Sequence, residues 1–164
     1  MISVYEGPLD HLTLPDAANS IVDETFDRLF LPERFERGDV AVVCHDESTV
    51  MGYVWLSFKD LWVCEGRLFL VLADDEATTY DAFVFPQYRG RGLYTRFESV
   101  ALAEAGTRGR KRVITIVESD NTNSLKTQLR LGKTQVMSLY SIHLFDRFSL
   151  HWATGRPLAS RFYR

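Results

Sequence analysis

One stretch constrains this chain more than any other: "DAFVFPQYRGRGLYTRFESVALAEA", Asp81 to Ala105. A β-rich apolar run, Ala82 to Phe85, meets Pro86, which cannot continue a central strand. A short loop with two glycines and two arginines follows. The apolar positions Leu93, Phe97, Val100, Ala101 and Ala105 then recur at helical spacing. "RVITIVE", from Arg112, reads as a buried strand after that helix. A strand-loop-helix-strand unit is a crossover, so part of the sheet must be parallel.

The loop itself points to an anion. A helix N-terminus carries unpaired N–H groups and a partial positive charge, and glycines let a ligand approach the main chain closely. Phosphates are the usual occupants. Gly90 and Gly92 open the backbone here, and Arg89 and Arg91 add charge able to pair with phosphate oxygens. A Walker loop is excluded, because no Gly-Lys-Ser/Thr ending is present. The dinucleotide fingerprint fails for want of a third glycine.

Composition bounds the rest. The 164 residues match one ordinary domain spanning 1–164, and hydrophobic content of 46% supports a packed core. Net charge of −3 is not the footprint of a nucleic-acid binder, although Arg108 to Arg112 forms a basic run. Cys44 and Cys64 sit in apolar runs without metal-ligand spacing and are read as buried reduced thiols, and no metal is expected. No leader pattern and no membrane-length apolar run occur, so the expectation is a soluble, cytoplasmic protein.

The other segments complete an α/β (α+β) pattern. "ISVYEG" reads as a first strand. "TLPDAANSIVDETFDRLFLP" reads as a helix opened by a Thr13/Asp16 capping box and ended by Pro32. "DVAVVCHD" and "TVMGYVWLSF" form an antiparallel hairpin, and "GRLFLVLAD" is expected to extend the sheet. "DNTNSLKTQLRLG" is a short helix stopped at Gly132, followed by a strand in "TQVMSLYSIHLF" and one more in the tail. A mixed central sheet of about six or seven strands, flanked by helices, results.

Gln87, Gly90 and Gly92 fit the pattern Gln/Arg-x-x-Gly-x-Gly/Ala. Val84-Phe85-Pro86 before them fits V-x-P. Val117 to Asn121 fits V-x-x-x-N, and a short helix then ends in Leu131-Gly132. In this order, over about residues 78 to 145, the chain resembles the GNAT (GCN5-related) family of N-acetyltransferases. The resemblance implies direct transfer of an acetyl group from acetyl-CoA, as co-substrate, to a primary amine on a small molecule or protein. It implies that main-chain groups of Phe83, Val84 and Phe85 bind the pantetheine arm between two splayed strands. The amide of Val84 or Phe85 would polarise the thioester. Amides of Tyr88, Arg89, Gly90, Arg91, Gly92 and Leu93 would cradle the pyrophosphate. Asn121 would reach in from the other wall.

Two departures stand out. The family often has a tyrosine acid seven residues after the asparagine, where this chain has Gln128. Ser124 is the hydroxyl-bearing substitute. Tyr94 replaces a residue that is commonly small, and would narrow the cradle, stack on the cofactor or pack on a neighbour. Asp81 is the candidate base; Asp74, Asp75, Glu76, Glu118, His143, His151 and a chain of waters are weaker ones. Trp55, Phe58, Trp62 and Tyr80 fall on the expected acceptor side. Alternatives left open are a longer-chain N-acyltransferase using acyl-CoA or acyl carrier protein, a non-catalytic acyl-CoA sensor and an RNA-binding module. Related folds often build homodimers through crossed strands. Neither nucleic acid nor membrane is an expected partner.

Overall fold

A computed structural model describes residues 1–15, 31–63, 68–144, 148–155 and 161–163 of the chain. In order, the elements are β1 (Ile2–Tyr5), α1 (Pro32–Glu36), β2 (Val40–Asp46), β3 (Thr49–Ser57), β4 (Leu61–Val63), β5 (Leu68–Val71) and β6 (Glu76–Val84). They continue with a 3₁₀ turn (Pro86–Tyr88), α2 (Leu93–Thr107), β7 (Arg112–Thr115), α3 (Thr122–Arg130), β8 (Met137–Leu144), β9 (Phe148–Gly155) and β10 (Arg161–Tyr163).

The central sheet runs β1-β2-β3-β6-β7. Its first three junctions are antiparallel, and β6–β7 is parallel through the α2 crossover, as the sequence pattern requires. Glu47 and Ser48 close the β2–β3 hairpin, Glu47 taking a positive φ of 48° that suits the twist of the flanking strands. The unbroken apolar run Val40–Cys44 is explained by burial on both faces. Ala41 and Val43 join Leu9, Leu12, Tyr53 and Trp55 on one side. Val42 and Cys44 meet Leu93, Phe97 and Ala101 of α2 on the other. The Leu93–Phe97–Ala101–Ala105 stripe is buried, and each large side chain removed from water there contributes about 1.5–3 kcal/mol. The helix ends at Thr107, two residues before Gly109, whose φ of +76° provides a left-handed stop.

Two expectations change, and a third, the helix foreseen between Thr13 and Pro32, falls mostly outside the described residues. At its near end the Thr13 amide donates to Ser48 O, and Thr13 forms a parallel bridge with Thr49. Pro32 opens α1, a position where its missing N–H costs nothing. The "GRLFLVLAD" strand does not extend the central sheet. β5 instead pairs with β4 and β10 in a separate three-stranded sheet, while β8 and β9 pair with each other. The central sheet therefore has five strands among the described residues. "RVITIVE" gives only four residues of strand, because β7 stays with β6 no further than Thr115. Cys44 is buried as a free thiol; Cys64 lies outside the described residues. Among the described residues no helix is long and apolar enough to cross a membrane, and no group of three potential metal ligands occurs.

Candidate active site between two parting strands

The site begins with an asymmetry in β6. On its β3 side the ladder persists to the end of the strand, with Val84 opposite Gly52 and the Phe85 amide donating to Met51 O at 3.1 Å. On its β7 side pairing runs only from Glu76/Arg112 to Thr79/Thr115. Five further residues of β6 have no β7 partner. Between Trp55/Tyr80 and Tyr53/Phe83 the register slips by one residue, a bulge at which Asp81 takes a positive φ of 47°. Gly52 permits the close return of the strand beyond the bulge: a β-carbon there would stand 2.7 Å from Phe83 O.

Main-chain groups alternate along a strand. Since Phe85 and Phe83 turn toward β3, the N–H and C=O of Val84 turn toward the opened side. The carbonyl accepts from Arg89 Nε at 2.9 Å, and the Arg89 guanidinium lies 5.7 Å from the Phe83 ring centroid. Of the two amides foreseen as polarising a thioester, that of Phe85 is committed to Met51, which leaves Val84.

The loop delivers the second component. Tyr88 N and Arg89 N close the 3₁₀ turn onto Phe85 O and Pro86 O, so these two amides are consumed locally rather than offered to a ligand. Gly90 and Gly92 then take φ of +76° and +70°, and Gly92 stands as the N-cap of α2 without a side chain to satisfy the helix. The first amide to enter the helical ladder is that of Arg96, bonded to Gly92 O at 3.2 Å. The amides of Gly90, Arg91, Gly92, Leu93, Tyr94 and Thr95 are thereby left as an open cradle at the positive end of α2. Thr95 was not legible in the sequence pattern. Arg91 stacks over Tyr88 at 5.6 Å and reaches Gln87 O. Gln87 and Tyr88 also border a cavity of about 490 Å³ together with Thr13, Leu14, Pro15 and Thr49.

The opposite wall comes from α3. Asn121 is its N-cap, with Oδ1 accepting from Ser124 N–H at 3.1 Å. Ser124 Oγ lies 3.4 Å from Tyr94 Oη, and Gln128 Nε2 donates to Tyr94 Oη at 2.7 Å. Gln128 is buried, yet its Oε1 has no hydrogen-bond partner among the described residues. Burial raises the Tyr94 pKa above the ordinary phenol range, the nearby Glu98 charge reinforcing it against the Ser124 and Gln128 hydrogen bonds.

One α2 turn beyond Tyr94, a polar cluster occupies the apex where the strands part. Fully buried Glu98 Oε1 receives Thr79 Oγ1 at 2.9 Å and Lys133 Nζ at 2.5 Å. Lys133 also donates to Thr115 Oγ1 at 2.6 Å, and the two threonine hydroxyls lie 2.6 Å apart. Sequence reasoning missed this cluster. Its only trace was an acidic residue lodged directly beside Phe97 within the apolar stripe.

Asp81 does not stand alone. Arg34 Nη1 donates to its Oδ2 at 2.6 Å, and the same guanidinium sits 5.0 Å and 5.1 Å from the Trp55 and Tyr80 ring centroids. Tyr80 donates to buried Asp39 at 2.5 Å, and its pKa is driven up by burial and then by the Asp39 charge. Trp55 is core rather than cleft lining. Phe58 lies beneath Arg108 and Arg110, and Trp62 is exposed beside Phe69 in the three-stranded sheet. Of the weaker base candidates, Asp75 and Glu76 pair with Arg112, and His151 Nδ1 lies 2.9 Å from Ser141 Oγ.

Comparison with known proteins accords with this geometry. The pattern describing the Acetyltransferase (GNAT) family matches residues 9–132. No curated protein matches the chain. Among solved structures, aminoglycoside N-acetyltransferase AAC(6')-Iy in complex with CoA superposes with a TM-score of 0.58 at 14% identity, covering 82% of this chain and 92% of that one. An acetyltransferase of Trypanosoma brucei gives 0.54 at 19% identity, with 82% and 94% covered. A transcriptional regulator from Bacillus halodurans gives 0.56 at 14% identity, with 88% and 100% covered. At such identities the likeness speaks for the fold.

Proposed function

The chain belongs to the acetyltransferase (GNAT) family, and from that premise we propose that it carries an acetyl group from acetyl-CoA to a primary amine by direct attack within a ternary complex. The observation that carries this reading is the opening of β6 beyond Thr79/Thr115, with Val84 N–H and C=O turned into the gap beside the unpaired amides of α2. The residues present suit acetyl-CoA. The cradle at Gly90–Thr95 matches a pyrophosphate, and Arg89 and Arg91 supply charge beside it. Val84 C=O matches a pantetheine amide once Arg89 swings away. Val84 N–H matches a thioester oxygen, where one such donor is typically worth about 3 kcal/mol in the transition state. Phe83 and Phe85 pack edge-on at 5.2 Å and hold that segment of main chain in place.

When bound, acetyl-CoA supplies an activated acyl carbon, so the protein needs no nucleophile of its own. Its tasks are to align the amine, favour the developing oxyanion and manage two protons. Asp81 Oδ2 is engaged by Arg34 Nη1, so water passing this pair is the route for the ammonium proton. For the acceptor, the cavity beside Gln87 and Tyr88, rimmed by the hydroxyls of Thr13 and Thr49, has room for a small polar amine.

Thiol release from acetyl-CoA, measured over a panel of amino sugars, aminoglycosides, amino acids, polyamines and peptides, tests the proposal. Turnover with one class supports it. CoA binding without release over the whole panel identifies a sensor. Faster release from long-chain acyl-CoA identifies a longer-chain acyltransferase.

A further inference from the structure

We propose that Tyr94, projecting from the first turn of α2, is the catalytic acid that protonates the departing thiolate, with Gln128 and Ser124 as its positioning residues. This inference rests on the acetyl-transfer reading above and assigns a proton donor that Gln128 cannot supply. A carboxamide cannot give up a proton at neutral pH, whereas a phenol can.

Three observations converge on this hydroxyl. First, Gln128 Nε2 donates to Tyr94 Oη at 2.7 Å. With its acceptor capacity used in this way, the phenolic proton is left to point elsewhere. Second, that proton has a neighbour able to replace it. Ser124 Oγ lies 3.4 Å from Tyr94 Oη and is only half-buried, so it links the phenol to solvent. Third, the surroundings are incomplete as they stand. Gln128 Oε1 is buried without a partner among the described residues, a costly arrangement that an N–H or S–H entering between α2 and α3 would satisfy. Burial and Glu98 keep the phenol protonated at physiological pH, as an acid must be before the reaction.

The step balances without a further reagent. The amine nitrogen bonds to the thioester carbon, the carbon–sulfur bond breaks, and the sulfur leaves with its electron pair and takes the Tyr94 proton. The proton lost by the attacking amine goes to water, and water returns one to Tyr94 through Ser124. The products are an amide and a free thiol.

The test compares kcat, the KM for acetyl-CoA, CoA affinity and thermal stability in Tyr94→Phe, Ser124→Ala and wild type, using the accepting amine found in the panel. Tyr94→Phe should lower kcat on the order of a hundredfold with CoA affinity held, and should lower the melting temperature modestly because buried Gln128 Nε2 loses its acceptor. Ser124→Ala should lower it less. A thioester whose thiol is more acidic should recover much of the loss in Tyr94→Phe, because a better leaving group needs less protonation; a merely structural role would not produce that recovery. Wild-type kcat in Tyr94→Phe would overturn the assignment, as would a raised KM with unchanged kcat, which makes Tyr94 a binding contact. If wild type itself releases no thiol with any amine, the acetyl-transfer reading fails first. Turnover in wild type that survives Tyr94→Phe defeats the acid assignment alone.

Discussion

The two edges of β6 are built from the same nine residues and behave in opposite ways. Along the β3 edge the ladder absorbs a bulge at Asp81, tolerates the close approach at Gly52 and still reaches Phe85. Along the β7 edge it stops after four pairs. The difference has a local physical origin. At the stopping point Thr79 and Thr115 turn their hydroxyls to each other and to the buried Glu98–Lys133 pair, so buried polar chemistry sits where sheet packing would otherwise continue. One edge gives rigidity to the segment Phe83–Phe85. The other leaves Val84 with main-chain groups that only a ligand, or the folded-back Arg89, can use.

Breaking the open edge at its anion cradle should have the largest effect. In wild type, CoA at a hundred times its Kd should stabilise the fold by about 2.7 kcal/mol. Gly92→Glu should abolish this in a thermal-shift titration, because it sets bulk and negative charge at the mouth of the α2 amides. Gly92→Asn, which tolerates a positive φ, should keep most of it. Next comes the apex. Lys133→Met leaves Glu98 buried without its cation and should cost about 3 kcal/mol in urea unfolding, most of it recovered when Glu98→Met is added. On the closed edge, Gly52→Ala pushes a β-carbon toward Phe83 O and should cost about 1–3 kcal/mol, with weakened CoA binding as Val84 shifts. The smallest effect separates two roles of one side chain. Asn121→Asp keeps the cap on Ser124 N–H, so stability should hold, while loss of the amide donor should weaken CoA by about 1 kcal/mol in calorimetry if Asn121 reaches the cofactor.

The pattern of glycines and apolar spacing made the crossover legible, since Leu93, Phe97, Ala101 and Ala105 can be buried together only on a helix, and Pro86 must end a strand. Gly90 and Gly92 were readable for the same reason, their positive φ being a property of the residue type. What stayed hidden depends on partners far apart in the chain. Nothing local announces that Glu98 meets Lys133 and Thr79, that Gln128 touches Tyr94, or that Arg34 claims Asp81. The choice between Val84 and Phe85 as thioester donor also required the register with Met51. Strand lengths failed where pairing, rather than propensity, set the limit: "RVITIVE" is β-rich throughout, yet among the described residues only Arg112–Thr115 has a neighbour to pair with.

Residue-resolved amide hydrogen exchange with and without CoA tests the central claim most directly. In the free protein the Phe85 amide should exchange slowly and the Val84, Leu93 and Tyr94 amides quickly. On CoA addition Val84 and the α2 cradle should become protected together. Protection of Val84 in the free protein to the level of Phe85, or CoA-induced protection that leaves Val84 and the α2 amides unchanged, would contradict a ligand gap at the open edge of β6.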